Sequence, residues 1–342
     1  MPSYDAFLLV AFGGPEGMDD VMPFLENVLR GKNVPPERMR AVAAHYEHFG
    51  GVSPINGQSR ALLEALRAEF EGHGLRLPLY WGNRNWAPML TDTLRQMMED
   101  GVTRAIAFVP SAFSSYSGCG QYLEDIARAR AAVGERAPRV DKVRVFYNHP
   151  GFIEAMTDRV RAAFDEVPAE RGAAAHLAFT AHSIPLLMAG GCAYVAQLEE
   201  ACRLVARGAG RSSWRLVYQS RSGPPHQPWL EPDVLDHLQS LRAAGATDVV
   251  LAPIGFASDH MEVKYDLDYE ARHRAGELGL NLVRAGTAGT HPQFVSMIRD
   301  LVEERLRDSP ERRTLGSRGP APDVCPEDCC PVGAGRPALV RA

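Results

Sequence analysis

Leu177-Ala-Phe-Thr-Ala-His-Ser-Ile-Pro185 climbs through an apolar run to a single histidine, His182, and stops at a proline. The run has strand character. In an open α/β sheet the chemistry collects where strands end and loops begin, so a histidine at that point is a candidate base or metal ligand. About eighty residues on, the design returns as Val249-Val-Leu-Ala-Pro-Ile-Gly-Phe256, followed by Ala257, Ser258, Asp259, His260, Met261 and Glu262.

Outward from these two runs the same rhythm covers the chain. Ala6–Phe12 is continuously apolar, as expected of a parallel strand buried on both faces. It ends in the tight loop Gly13–Gly17, and Asp19 and Asp20 are placed to cap the next helix. Strands are predicted at Leu77–Trp81, Ala105–Pro110 and Val143–Tyr147 in the first half. In the second half they fall at Leu177–Thr180, Arg215–Tyr218, Val249–Pro253 and Asn281–Ala285. Helical segments separate them, including 120–132, 193–207, 231–243 and 262–277, and a last helix spans about 293–306. Strands alternating with helices imply parallel sheets. The fold class is therefore α/β: two doubly wound, Rossmann-like domains, each a four-stranded parallel sheet flanked by helices, with a ligand cleft between them. The expected division is 1–150, 151–307 and a Cys-containing tail at 308–342. That tail is rich in Arg, Gly and Pro, lacks periodicity and reads as mobile.

Composition excludes several functions. Lys and Arg together number 37 against 42 Asp and Glu, for a net charge of −5, which leaves no electrostatic footprint for nucleic acid. No apolar run approaches the ~20 residues of a membrane span. The first ten residues read as a strand rather than a signal peptide. A cytoplasmic, monomeric protein is expected, whose six cysteines are thiols or metal ligands rather than disulfides.

The chemistry-bearing residues fall at the strand ends. His182 has an imidazole suited to both proton transfer and metal binding at neutral pH. Glu262, Asp266 and Glu270 come at four-residue spacing and put three carboxylates on one helical face. Asp259 is explained as an N-cap. A solvated face is the commoner origin of such a row, but this one comes directly after an apolar strand, so Glu262 should point into the cleft. Gly13–Gly17 is neither a G-x-G-x-x-G nor a P-loop. Trp81-Gly-Asn-Arg-Asn-Trp86 and Ser114–Tyr122 carry aromatic and polar groups in glycine-containing loops, which suits a flat apolar ligand with a polar edge. Gln219–Pro225 supplies a cation, Arg221. Cys325, Cys329 and Cys330 lie within six residues. Thiolate ligation of an iron–sulfur cluster needs four donors, so a fourth would come from Cys119, Cys192 or Cys202.

Taken together, these motifs resemble the ferrochelatases, enzymes that insert ferrous iron into a porphyrin, over about residues 4–305. The resemblance is carried by Phe12-Gly-Gly-Pro15, Pro23-Phe-Leu-Glu-Asn27, His48-Phe-Gly-Gly-Val-Ser-Pro-Ile-Asn56, Gly82-Asn-Arg-Asn-Trp86, Ala181-His-Ser-Ile-Pro185, Tyr218-Gln-Ser-Arg-Ser-Gly223 and Ser258-Asp-His-Met-Glu262. It is strongest to the actinobacterial type and implies a chelatase-like fold, coproporphyrin III and ferrous iron as substrates, and product passed to the next haem-pathway enzyme. It further implies that His182 and Glu262 face each other across the porphyrin. Asp266 and Glu270 would continue an acidic path along a helix with a π-type distortion. Ser53 and Tyr122 match porphyrin-contacting positions, and Arg30 lies near a basic position that could meet a propionate. Phe12 stands where some relatives have a tyrosine on the iron, a departure that removes that ligand. The Cys325/Cys329/Cys330 tail resembles a [2Fe-2S]-binding tail, for which Cys119 is the expected fourth ligand. Three alternatives differ from this expectation: a protoporphyrin IX ferrochelatase, a cobalt or nickel tetrapyrrole chelatase, and a non-enzymatic porphyrin or haem carrier or sensor.

Overall fold

The computed structural model describes residues 4–31, 34–223, 226–307, 311–326 and 329–330. Two parallel four-stranded sheets form its frame. The first contains β1 (Ala6–Ala11), β2 (Leu79–Asn83), β3 (Arg104–Phe108) and β4 (Arg139–Lys142) in the order β2-β1-β3-β4. The second contains β5 (His176–His182), β6 (Arg215–Gln219), β7 (Asp248–Ala252) and β8 (Asn281–Arg284) in the order β6-β5-β7-β8. Every pairing is parallel, and Phe179 of β5 lies beside Ala252 of β7.

This order decides where a ligand can sit. The chain leaves β5 towards β6 on one side and β7 towards β8 on the other, so the loops after β5 and β7 diverge and open a crevice between them. His182 closes β5, and Glu262 lies beyond the end of β7. In the first sheet the equivalent crevice lies between the loops after β1 and β3, at Phe12–Pro15 and Pro110–Gly120.

The core is common to both halves. Phe7, Phe70, Phe108, Phe146, Phe152, Phe179 and Phe294 are fully buried and belong to one cluster. Burial of each such ring is worth roughly 1.5–3 kcal/mol. The helix Pro292–Leu306, from the second half, packs on Ile55–Gly72 of the first half and on Pro150–Asp165.

Three expectations are corrected. Val143–Tyr147 is not a strand: pairing with β3 ends as the Val143 amide donates to the Ala107 carbonyl, and the chain then dips beneath the sheet. There Phe146 stacks on Phe108 and meets Phe152 and Phe294. Burial accounts for its apolar sequence without a ladder. The N-cap of Met18–Leu29 is Gly17, with no capping side chain, and Asp20 instead accepts the Glu16 amide. The third correction concerns the tail. Residues 311–323 are strapped to the body rather than loose. The Leu315 amide donates to the Asn148 carbonyl at 2.8 Å, Asn148 Nδ2 to the Gly319 carbonyl at 2.9 Å, and Arg144 Nη2 to the Arg313 carbonyl at 3.1 Å. Composition cannot show that buried Arg144 and Asn148 need acceptors, which this segment's backbone supplies. Residues 308–310, 327–328 and 331–342 of the expected tail lie outside the described residues.

Arg144 is 2% exposed and makes a bidentate pair with Glu304 at 2.7 and 2.8 Å. Removing one partner of a buried pair strands the other charge, at a cost of about 3–5 kcal/mol. Arg144→Ala is therefore expected to lower urea stability by that amount. A loss below ~1 kcal/mol would show that water reaches Glu304.

Candidate active site

The C-terminal wall is built from the ends of β5 and β7. At β5, His182 donates from Nδ1 to the Ser183 carbonyl, which turns Nε2 outward. Nε2 stands 3.6 Å from Glu262 Oε1. Glu262 reaches this place because Gly255, after β7, lies against Ala181. A Cβ at Gly255 would fall 2.7 Å from Ala181 Cα, so only glycine lets the loop run beside the end of β5. The Gly255 amide donates to the Thr180 carbonyl at 3.0 Å and holds the approach.

The helix carrying the acidic row is not one α-helix. Met261–Val263 is α, Lys264–Ala271 is π and Arg272–Leu278 is α again. His260 is the N-cap, its Nδ1 accepting the Glu262 amide at 3.2 Å. The expected cap, Asp259, pairs with Arg284 at 3.2 Å instead. Arg284 also grips Asp268 at 2.7 Å, and Lys264 reaches Asp268 at 2.6 Å. The carboxylates thus separate into two sets. Asp259 and Asp268 are neutralised by cations, whereas among the described residues no lysine or arginine pairs with Glu262, Asp266 or Glu270. A π-helix has a wider turn than an α-helix and is common at functional sites. Here it carries the unneutralised row away from His182.

Electrostatics reflect the geometry. Burial pulls the His182 pKa down, but the Glu262 carboxylate, the Ser183 carbonyl and Asp266 outweigh it and raise it to about 9. Burial pushes Glu262 up, but His182 and then His260 outweigh it and lower the carboxyl to about 2. The resting pair at neutral pH is therefore imidazolium and carboxylate. Their side chains are 30% and 49% exposed, so solvent screens the pairing. Burial chiefly raises Asp266, with Glu262 and Glu270 adding, to about 7.

The N-terminal wall faces this pair. The Glu262 charge reaches the Tyr46 phenol in Pro36–Glu47, whose pKa is raised first by burial and then by that carboxylate. Gln58 of Ile55–Gly72 accepts the Asp259 amide at 2.9 Å. His45 stacks on Tyr265 at 3.6 Å. A second π-helix, Tyr116–Gly120, lies in the loop after β3.

A solved chelatase shares this two-sheet fold. The sirohydrochlorin chelatase SirB from Bacillus subtilis aligns with a TM-score of 0.51 at 12% identity, over 88% of this chain and 95% of its own, which shows the fold alone. The sequence carries the family: the ferrochelatase profile matches residues 4–306. A ferrochelatase of Rhodopirellula baltica is 59% identical over 98% of both chains. The chain belongs to the ferrochelatase family. A protein of Streptomyces coelicolor called coproporphyrin III ferrochelatase is 53% identical over 99% of this chain and 96% of its own. Members are metal chelatases, and ferrous iron and a porphyrin are the substrates of a ferrochelatase.

Within this ferrochelatase frame the remaining expected site residues fall into place unevenly. Ser53 is 4% exposed and packs against Gly14, where a Cβ would lie 2.7 Å from Ser53 Cβ. Tyr122 and Phe12 are joined by a residue that the sequence motifs do not single out. Arg84, from Gly82–Trp86, lies 4.4 Å from the Tyr122 ring and 5.7 Å from the Phe12 ring, and it is ion-paired with Asp125. Its one sign in the sequence is an arginine set between two asparagines in a tryptophan-bounded loop, which cannot show what it stacks on. Arg30 is not brought to the site pair: it is exposed and bonds Asn27 on its own helix. Arg221 bonds the Gln227 carbonyl at 3.2 Å.

The thiols divide. Burial and then Glu199 raise the pKa of Cys202, which neighbours Tyr218. Cys119 and Cys192, by contrast, come near the tail: burial first, then Cys329, Cys119 and Cys192 raise the pKa of Cys330. Cys329 and Cys330 sulfurs are 3.9 Å apart. Among the described residues no three His, Cys, Asp or Glu side chains converge as a metal-holding group. The donor chemistry suits thiolate ligation, but among the described residues no such group of ligands is assembled, and no step of the reaction is assigned to a cluster.

Proposed function

We propose that the protein inserts ferrous iron into coproporphyrin III to give iron coproporphyrin, with His182 and Glu262 as the catalytic pair. The observation that carries this reading is the 3.6 Å contact between His182 Nε2 and Glu262 Oε1 at the crevice of the second sheet, with an unneutralised acidic row leading away from it. Insertion breaks two pyrrole N–H bonds, releases two protons and leaves iron ferrous on four nitrogens. His182 rests as the imidazolium, so it first releases its own proton through Asp266 to solvent and then, as the free base, takes the two pyrrole protons one after the other. Glu262 with His182 offers ferrous iron a weak transient site of one carboxylate and one imidazole. Asp266 and Glu270 pass protons outward or metal inward. Phe12, Ser53 and Tyr122 line the ring's seat, with Arg84 holding Tyr122 and Phe12 in register. Arg30 would meet a propionate only at the rim.

Coproporphyrin is supported by the relatives so called in Streptomyces coelicolor, Streptomyces griseus and Nocardia farcinica, at 53%, 53% and 48% identity. Coproporphyrin III and protoporphyrin IX assayed side by side test the choice. A higher kcat/KM for coproporphyrin III is expected, and a preference for protoporphyrin IX would overturn it.

The [2Fe-2S] cluster stays a proposal for Cys325, Cys329 and Cys330, with Cys119 as fourth donor and Cys192 as its competitor. Visible absorption and iron content of anaerobically purified protein test it, and C119S and C192S compared in turn identify the fourth thiol. A colourless, iron-free, folded protein would count against it.

A further inference from the structure

Ser220 comes directly after β6, and its φ of +63° makes it the one non-glycine residue in the left-handed region among the described residues. Glycine takes that backbone freely, whereas a residue with a Cβ holds it at a cost, and such strain persists where the surroundings use it. The surroundings here are the acidic π-helix. The Ser220 hydroxyl donates to Asp266 Oδ2. The preceding side chain points the same way: Gln219 Nε2 donates to the Glu262 carbonyl at 3.0 Å and to Asp266 Oδ2 at 3.3 Å. Gln219 is 1% exposed and its Oε1 has no partner among the described residues, so the amide is buried for the sake of its donor end. Asp266 is the middle carboxylate of the row, and these two neutral donors hold it where no cation does.

We propose that Ser220 is a positioning residue, whose left-handed backbone turns its hydroxyl onto Asp266 and fixes that carboxylate between Glu262 and Glu270. This rests on the reading of the row as a path for protons or metal. A strand end that left Asp266 free to swing to solvent would break the path at its centre. The backbone cost at Ser220 keeps the path continuous without a lysine or arginine, which would repel an incoming cation.

Glycine at this position separates the two roles a serine could have. Ser220→Gly relieves the backbone and removes the hydroxyl. Its Tm should equal or exceed that of the parent, while kcat falls about tenfold, the loss of one hydrogen bond to a charged group. KM for porphyrin should stay within about twofold, as for an interaction that does not bind the ring. Ser220→Ala should lose the same activity with a lower Tm. A serine that merely makes the turn would give S220G full activity, and that result would overturn the inference. The double-mutant cycle with Asp266→Asn fixes the partner. In D266N, itself slow, adding S220G should cost no more than about twofold, and a full tenfold cost there would also overturn it. Parental kcat in D266N would sink the reading of the row and this inference with it. A slow D266N beside a fully active S220G would sink the inference alone.

Discussion

Replacing His182 with alanine is expected to abolish metal insertion while the protein still folds and still quenches on binding porphyrin. The imidazole stands at the end of β5, where the crevice of the second sheet opens, and it supplies two things alanine cannot: a proton acceptor and a nitrogen donor to iron. A positioned acid–base group alone contributes about 10²–10⁴-fold, so loss of both functions should exceed that range. The fold does not depend on the side chain in proportion. Its ring is 30% exposed, and β5 is held by the ladder to β6 and β7, by the Ser183 amide on the Gln219 carbonyl, and by Tyr194 on the His182 carbonyl. Turnover near the parental rate in H182A would remove His182 from the mechanism.

Glu262→Gln is expected to cut turnover by about 10²-fold or more with little change in porphyrin affinity, and to move the pH profile. With Glu262 ionised, His182 holds its proton up to about pH 9, so the parental rate should climb between pH 7 and 9 as the free base appears. The amide removes the largest upward influence on His182 and leaves only the Ser183 carbonyl and Asp266 to oppose burial, so the rise should shift to lower pH in E262Q. Stability carries the opposite sign. The raised pKa of His182 contributes fully below its ordinary 6.5, and the contribution is lost as the pH rises through about 9. The lowered pKa of Glu262 contributes fully above 4.5, and that contribution is lost as the pH falls through about 2. Both act together between 4.5 and 6.5, and Glu262 exposure keeps the sum small. Equal losses of affinity and turnover in E262Q would assign the carboxylate to binding.

The two strand ends were legible because burial writes itself into sequence. Leu177–Thr180 and Val249–Ala252 are apolar on both faces, and the loops after such strands face the crevice. The same signal misread Val143–Tyr147, because burial beneath a sheet and burial within one select the same residues. Row geometry was half legible. Four-residue spacing showed that Glu262, Asp266 and Glu270 share a face, and the resemblance supplied a π-type distortion. Spacing could not show that Arg284, at the end of β8 and on a separate element from the row, neutralises Asp259 and Asp268 and leaves the others bare. Arg84 on Tyr122 and the strap over Arg144 are contacts between distant segments, and no local pattern encodes them.

Catalysis of metal insertion, as opposed to stoichiometric binding, is the claim on which the rest depends. Anaerobic addition of ferrous iron to coproporphyrin III, with the protein at about one-hundredth of the porphyrin concentration, measures it through loss of porphyrin fluorescence. The fluorescence is expected to disappear over many turnovers per protein and the product to absorb as iron coproporphyrin. A decrease that stops at one porphyrin per protein would contradict catalysis and identify a carrier.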